Sequence, residues 1–308
     1  MRWTLLTVAL ASTSLVAQDQ PTFRAHSDMV VIHALVEDGR GAAVPDLTRD
    51  NFLVYEDNYP QQLSVFSSAD APASIGLLID NSTSMAPKRE LVVAAAVQFA
   101  ELSNPQDEIF VLAFNEQVRE AWQPGVIEDS DISVLRATLL NRISARGKTA
   151  LYDAVDRALD HFARAQHTRQ VMVVISDGSD NASRLKLEDM LFRIQASHAM
   201  IYTVVMRDSL NPDGNPGLLR RLSRDTGGKS FTPQRIADVP EALEHIARDI
   251  RATYTLGYVP TNQARDGTMR KLRVVASHPD GRRLKVQTRG GYLAPKSISP
   301  LDGGSDGR

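Results

Sequence analysis

Five oxygen-bearing side chains stand where a folded chain could gather them. Asp80, Ser82 and Ser84 occur in Asp80-Asn81-Ser82-Thr83-Ser84-Met85, Thr149 closes Gly147-Lys148-Thr149, and Asp177 lies in Ser176-Asp177-Gly178. The first group follows the apolar run Ile75–Ile79 and the last follows Val171–Ile175. Both runs have the length and composition of strands covered on both faces. Thr149 precedes an amphipathic helical pattern over 151–162. In doubly wound sheets, ligands collect beyond the carboxyl ends of the strands, where the strand order reverses. Three loops at one sheet edge would then offer two carboxylates and three hydroxyls, with neither imidazole nor thiolate. Such hard oxygen donors suit Mg2+, with Mn2+ or Ca2+ as alternatives. Singly, each residue also fits a plainer role: Asp80, Ser82 or Ser84 as a helix N-cap, Thr149 likewise, and Ser176-Asp177-Gly178 as a turn. Their order, together at strand ends, is what points to a metal. Asn81 and Thr83 read as spacers and Asp180 as a loop residue.

The elements that must position these residues follow from hydrophobic periodicity. After the first run, Leu91, Ala95, Phe99 and Leu102 predict one helix face. Ile109–Phe114 predicts a second buried strand, and Val118–Trp122 a short edge strand. Leu139–Ile143 reads as the end of a helix. Leu151, Ala154, Val155, Ala158, Leu159 and Phe162 fall on one helical stripe. Leu187, Met190, Leu191 and Ile194 mark a helix, Ile201–Val205 a strand, and Val239, Ala242, Leu243, Ile246 and Ile250 a last helix. This alternation predicts the α/β class: a doubly wound, mainly parallel sheet with helices on both faces, over 74–253. The flanks read as β structure. Residues 22–70 carry the runs Met29–Val36, Phe52–Tyr55 and Leu63–Phe66, and Ser67–Pro72 reads as a linker. Residues 254–294 carry Tyr254–Tyr258, Leu272–Ala276 and Leu284–Thr288. Each flank has too few strands to bury a core alone, so the two are expected to form one small discontinuous β domain. Residues 295–308, rich in glycine and aspartate, are expected to be disordered.

Composition narrows the function classes. The chain has 308 residues, 43% of them hydrophobic and 23% charged, with a formal net charge of −2. That balance complements neither nucleic acid nor an anionic membrane. There is no cysteine, which excludes disulfides, thiolate zinc sites and cysteine nucleophiles. Met1-Arg2, the apolar stretch Trp3–Leu10 and the small residues up to Ala17 have the order of a signal peptide, 1–17. The apolar run is too short to span a bilayer, so no stable membrane insertion is expected. Histidines such as His161, His167 and His245 lack metalloprotease spacing and read as surface residues. Tyr254 and Tyr258 read as packing rather than ligand stacking.

Asp80-x-Ser82-x-Ser84 with Met85, Thr149 within residues 147–154, and Asp177 within residues 175–180 resemble the metal-ion-dependent adhesion site of the von Willebrand factor type A (VWA) family. The resemblance covers about 74–253. The flanks, with Leu47-Thr48 and Phe52, then Leu256-Gly257-Tyr258, are similar to an exported bacterial VWA-related family. The resemblance implies that the Ser82, Ser84 and Thr149 hydroxyls touch the metal, while Asp80 and Asp177 hold it largely through waters. Neutral oxygens leave the cation electron-poor, so an open position favours a carboxylate from a partner. A helix following Ser84 would point its positive end at the cation, a repulsion the two aspartates must offset. Competing motifs lack a needed residue. A P-loop needs glycine where Arg142 stands, and a haloacid-dehalogenase-like phosphotransferase needs a second aspartate where Ser82 stands. No Gly-x-Ser-x-Gly elbow occurs. The expectation is therefore an exported, periplasmic or extracellular, non-enzymatic module that binds a protein partner presenting an acidic side chain, with no nucleic-acid partner. A metal-dependent hydrolase or phosphotransferase using the same site is the alternative.

Overall fold

The structure, a computed structural model, describes residues 29–67, 70–128, 131–207 and 213–296. The signal peptide expected at 1–17 lies outside the described residues, as does all of the expected tail except Pro295 and Lys296. Lys296 forms an isolated β-bridge with Asp266.

Four strands come first: β1 (Val30–Glu37), β2 (Phe52–Glu56), β3 (Tyr59–Gln61) and β4 (Leu63–Ser67). Next come β5 (Ser74–Asp80), α1 (Arg89–Leu102), β6 (Glu108–Phe114), β7 (Val118–Val126), α2 (Ile132–Arg142) and α3 (Leu151–Phe162). The chain continues through β8 (Gln170–Ser176), α4 (Leu187–Ala196), β9 (Met200–Val205), α5 (Pro216–Thr226), β10 (Ser230–Phe231) and α6 (Val239–Arg251). It then returns to strands: β11 (Thr253–Tyr258), β12 (Met269–Ser277), β13 (Arg283–Gln287) and β14 (Gly291–Leu293).

Six of these strands form a sheet of order β10-β9-β8-β5-β6-β7, all parallel except the edge strand β7. Its inner strands β5, β6, β8 and β9 are apolar at most positions because both faces are covered. On β5, Ile75, Leu77 and Ile79 join the core that includes Val92, Phe99, Leu243 and Ile246 of α1 and α6. Leu78 faces the other way, with Leu151, Val155, Met190 and Leu219 of α3, α4 and α5. The same period of two sorts Val111 from Phe110 and Leu112 on β6. Gly76 leaves room for the Phe110 ring, which a Cβ would meet at 2.5 Å.

The remaining strands share one largely antiparallel sheet of order β3-β2-β12-β13-β1-β11-β4, with β14 paired to β12. Its core holds Ile32, Ala34, Phe52, Val54, Tyr254, Leu256, Tyr258 and Val274. The buried phenols are satisfied: Tyr254 Oη donates to Val44 O at 2.7 Å, and Tyr258 Oη to Glu56 Oε2 at 2.6 Å. This sheet meets the amino ends of the parallel strands. Arg169, just before β8, donates to Ala71 O and Ile250 O at 2.9 and 3.2 Å and reaches Thr255 Oγ1 at 3.4 Å. Lys229, just before β10, pairs with Glu37 of β1 at 2.6 Å and with Asp249 of α6 at 2.9 Å. Burial favours a protonated Glu37, but hydrogen bonds from Lys229 and Lys285 hold its carboxyl below the usual range.

Several expectations are corrected. The buried residues of α1 are Val92, Val93, Ala95, Ala96, Val97 and Phe99, so Ala95 and Phe99 of the predicted face are buried and its two leucines are not. Leu91 is only half-buried and Leu102 is exposed. α1 packs against α6, and Ala95 and Ala96 lie in the same core as Leu243 and Ile246. His33 is buried in β1, its ring beside Thr255 Oγ1 at 3.3 Å. His161 is half-buried and stacks on Phe110 with ring centroids 4.6 Å apart. α5 was not anticipated.

Candidate metal centre

β5 and β8 are parallel neighbours with Ile79 opposite Ile175, so their carboxyl ends bring Asp80 and Ser176 side by side. β6 continues to one side of β5 and β8 lies on the other, so this is where the winding reverses. Ser176 Oγ donates to Asp80 Oδ2 at 2.6 Å, and Asp80 Oδ1 accepts from Ser82 N at 2.9 Å. The aspartate thereby folds its own loop back over the strand end. On the facing loop, Asp177 Oδ1 accepts from Ser179 N at 2.9 Å. The two loops meet where Ser84 Oγ donates to Asp177 Oδ2 at 3.1 Å, and Ser84 Oγ also lies 3.1 Å from Ser82 Oγ.

Asp80, Ser82, Ser84 and Asp177 are thus joined by direct hydrogen bonds. Thr149 is joined through its backbone: its N–H donates to Asn181 Oδ1 at 2.8 Å, and its carbonyl accepts from Asn181 N and Ala182 N at 2.9 and 3.0 Å. Of the five candidate ligands, Asp80, Ser82, Thr149 and Asp177 are buried and Ser84 is half-buried. Asp180 is a loop residue that serves α3, accepting from Tyr152 N at 3.1 Å.

Burial pushes the Asp80 carboxyl up to about 6, and the neighbouring Asp177 carboxylate adds to the rise against the hydrogen bonds from Ser176 and Ser82. A cation between the two loops would offset both effects. Oxygens at adjacent corners of an octahedral Mg2+ shell, each 2.0–2.1 Å from the ion, stand about 3 Å apart. The hydroxyl oxygens of Ser82 and Ser84, 3.1 Å apart, already have that spacing. Among the described residues no three His, Cys, Asp or Glu side chains cluster as a ligand set. The donors here are two carboxylates with hydroxyls, a set that fits a hard cation.

The helix expected straight after Ser84 needs revision. A 3₁₀ segment, Thr83–Lys88 with Pro87 inside it, comes first, and α1 begins at Arg89. The full helix terminus therefore stands back from the site, and its field there is weaker than expected.

Sequence reasoning missed several residues that shape these loops. Asn81 and Thr83 are not mere spacers: the Asn81 side chain accepts from Ala145 N, and Thr83 Oγ1 accepts from Gly147 N at 3.0 Å. Ser176 links the two carboxylate loops. Asn215 caps α5 and donates its own N–H to Asp177 O at 3.1 Å. The available signal was a concentration of Asn and Ser beside strand ends, the residue types that satisfy turn backbones. That signal marks turns without naming partners.

Residues 75–179, which run from the first parallel strand past Asp177, match the von Willebrand factor type A domain family. Comparison with curated proteins finds no match. Among solved structures, the chain is similar to a von Willebrand factor type A protein from Catenulispora acidiphila, with a TM-score of 0.50 and 14% identity over 91% of this chain and 76% of that one. It is also similar to BatB from Bacteroides thetaiotaomicron, with a TM-score of 0.44 and 13% identity over 58% and 98% of the two chains. A third is proximal thread matrix protein 1 from the mussel byssus, described with a zinc-occupied MIDAS motif. That match has a TM-score of 0.48 and 16% identity over 62% of this chain and 48% of that one. The first likeness is one of fold, and it reaches beyond the α/β unit.

Proposed function

We propose that the protein is an exported, non-catalytic binding module that takes one divalent cation, Mg2+ in the first instance, at Asp80, Ser82, Ser84, Thr149 and Asp177. Through that cation it grips an acidic side chain of a protein partner. The observation that carries the reading is the meeting of Asp80, Ser82, Ser84 and Asp177 at the carboxyl ends of β5 and β8, with the Ser82 and Ser84 hydroxyl oxygens 3.1 Å apart. When bound, the cation supplies a Lewis-acidic position that a carboxylate can occupy. The chain's own residues gather the oxygens and bury two negative charges that the ion would neutralise. Domains of this family commonly bind a divalent metal. Among the described residues no helix is long and apolar enough to cross a membrane.

Calorimetric titration with Mg2+ and Mn2+ tests the site. One site is expected, lost in Asp80→Ala and weakened in Thr149→Ala. Partner capture is expected to vanish with EDTA and return with Mg2+ or Mn2+. A carboxylate contact at an interface centre has the character of a hot spot, so Thr149→Ala should weaken partner binding at least about tenfold, or about 1.4 kcal/mol. Undiminished metal affinity in Asp80→Ala would overturn the site. Capture indifferent to chelation would overturn the mode of binding.

A further inference from the structure

We propose that Asn81 and Thr83 are positioning residues that hold the Thr149 loop ready for the cation, an inference that rests on the metal-site reading above. The loop between α2 and α3 is unusual in its backbone: Ala145 has φ of 49° and Gly147 φ of 90°. A non-glycine residue in the left-handed region is held there against its own preference, so something outside the loop must impose the shape. Asn81 and Thr83 do so from the opposite loop. The Asn81 side-chain oxygen accepts from Ala145 N, and the Asn81 carbonyl accepts from Arg146 N at 2.9 Å. Thr83 engages both sides of one residue. Its N–H and hydroxyl each lie 3.2 Å from Gly147 O as donors, and the hydroxyl accepts from Gly147 N at 3.0 Å. Asn81 is itself anchored, its N–H donating to Phe114 O at 2.7 Å at the end of β6. Asn115, the next residue, donates from its side chain to Arg146 O at 3.0 Å, and its carbonyl accepts from Ala150 N at 2.8 Å.

The alternation of the motif then divides the work. Asp80, Ser82 and Ser84 face the cation site, while Asn81 and Thr83 bind the backbone two to four residues before Thr149. A loop fixed before the ion arrives has less ordering left to do on binding, which raises affinity without adding a ligand. The geometry separates this role from simple stability, because the clamp's benefit should pass through Thr149.

The test uses the full chain and Mn2+ alone, with affinity read by calorimetry and by the loss of the free-ion electron paramagnetic resonance signal. Thr83→Val keeps the shape and removes the hydroxyl, and Asn81→Ala removes the acceptor. Each is made with Thr149 present and again in Thr149→Ala. With Thr149 present, each is expected to weaken Mn2+ binding at least fivefold, Thr83→Ser restoring it; in Thr149→Ala the same changes are expected to cost less than twofold. Interacting residues show such non-additivity and independent ones do not. Equal losses in both backgrounds, or no loss in either, would overturn the clamp while leaving the metal site standing. No Mn2+ binding by the unaltered chain would overturn the metal site and the clamp with it. Thr83 is exposed, so its variants are expected to fold even where Asn81→Ala does not.

Discussion

At the scale of single residues, Asp80, Ser82, Ser84 and Asp177 carry the oxygens of the candidate site, and Asn81, Thr83 and Ser176 shape the loops around them. Asp80, Ser82, Ser84 and Asp177 announce themselves because strand ends gather them and because their oxygens share one chemistry. Asn81, Thr83 and Ser176 lie inside the same motifs, yet their partners are backbone atoms and a carboxylate that only the fold brings near. His33 was hidden for a different reason: a histidine within Val31-Ile32-His33-Ala34 carries no signal of whether its side of the strand faces water. Burial, with Arg169 adding repulsion, pushes its imidazole down to about 3. The folded chain therefore refuses a proton that the unfolded chain accepts near pH 6.5. This contribution to stability is intact above about pH 6.5 and is lost as the pH falls towards 3, at up to about 1.4 kcal/mol per pH unit. Urea midpoints measured from pH 7 to pH 4 should fall, and His33→Gln should flatten the slope. An unchanged slope would show that other groups govern the acid limb.

At the scale of elements, periodicity located the parallel strands β5, β6, β8 and β9 and most helices because their cores repeat every two or every 3.6 residues, while the two-residue β10 is too short to carry a period. On α1 it found Ala95 and Phe99 but chose Leu91 and Leu102 over Val92 and Ala96, since a helix rich in small and apolar residues marks its inner face weakly. α5 escaped because its buried face is short, resting on Leu218, Leu219 and Leu222, with Arg220, Arg221, Arg224 and Asp225 around it. Its end signals were present in Asn215-Pro216 at the start and Gly227 at the close. α5 matters to the site because its cap abuts the loop of Asp177. Gly178 has φ of 84°, and a Cβ there would sit 2.4 Å from Asn215 O. Gly178→Ala should therefore cost both backbone strain and a displaced loop, and should weaken cation binding as well as lower the melting temperature. Gly281, with φ of 86° and open space around it, supplies the control: Gly281→Ala should cost about 1–2 kcal/mol of strain at most and leave the cation untouched. Equal behaviour of the two variants would refute the role given to the Asp177–Asn215 contact.

At the scale of the whole molecule, the β flanks were readable as strands, but their order was not. Alternating apolar residues say which face is inward, while pairing such as β1 with β11 depends on contacts between residues more than two hundred positions apart. Because β11 sits between β1 and β4, a chain ending at Arg251 should leave Ile32, Ala34 and Phe52 uncovered. Light scattering and dye binding should then report aggregation; a monomeric chain as heat-stable as the full one would mean the first four strands stand alone. The same arrangement also has a consequence in time. The α/β unit leaves the sheet after β4 and returns at β11, with Ser67 opposite Thr255 and Asp70 bound to Arg251 at 2.8 Å across 181 residues of sequence. Closing so long a loop from an open chain costs about 5 kcal/mol. Once the α/β unit has folded, its two ends already stand together and that cost has largely disappeared. Folding should run from the inside of the sequence outward, so that pulse-labelled amides in β5 and β8 are protected before those in β1 and β11.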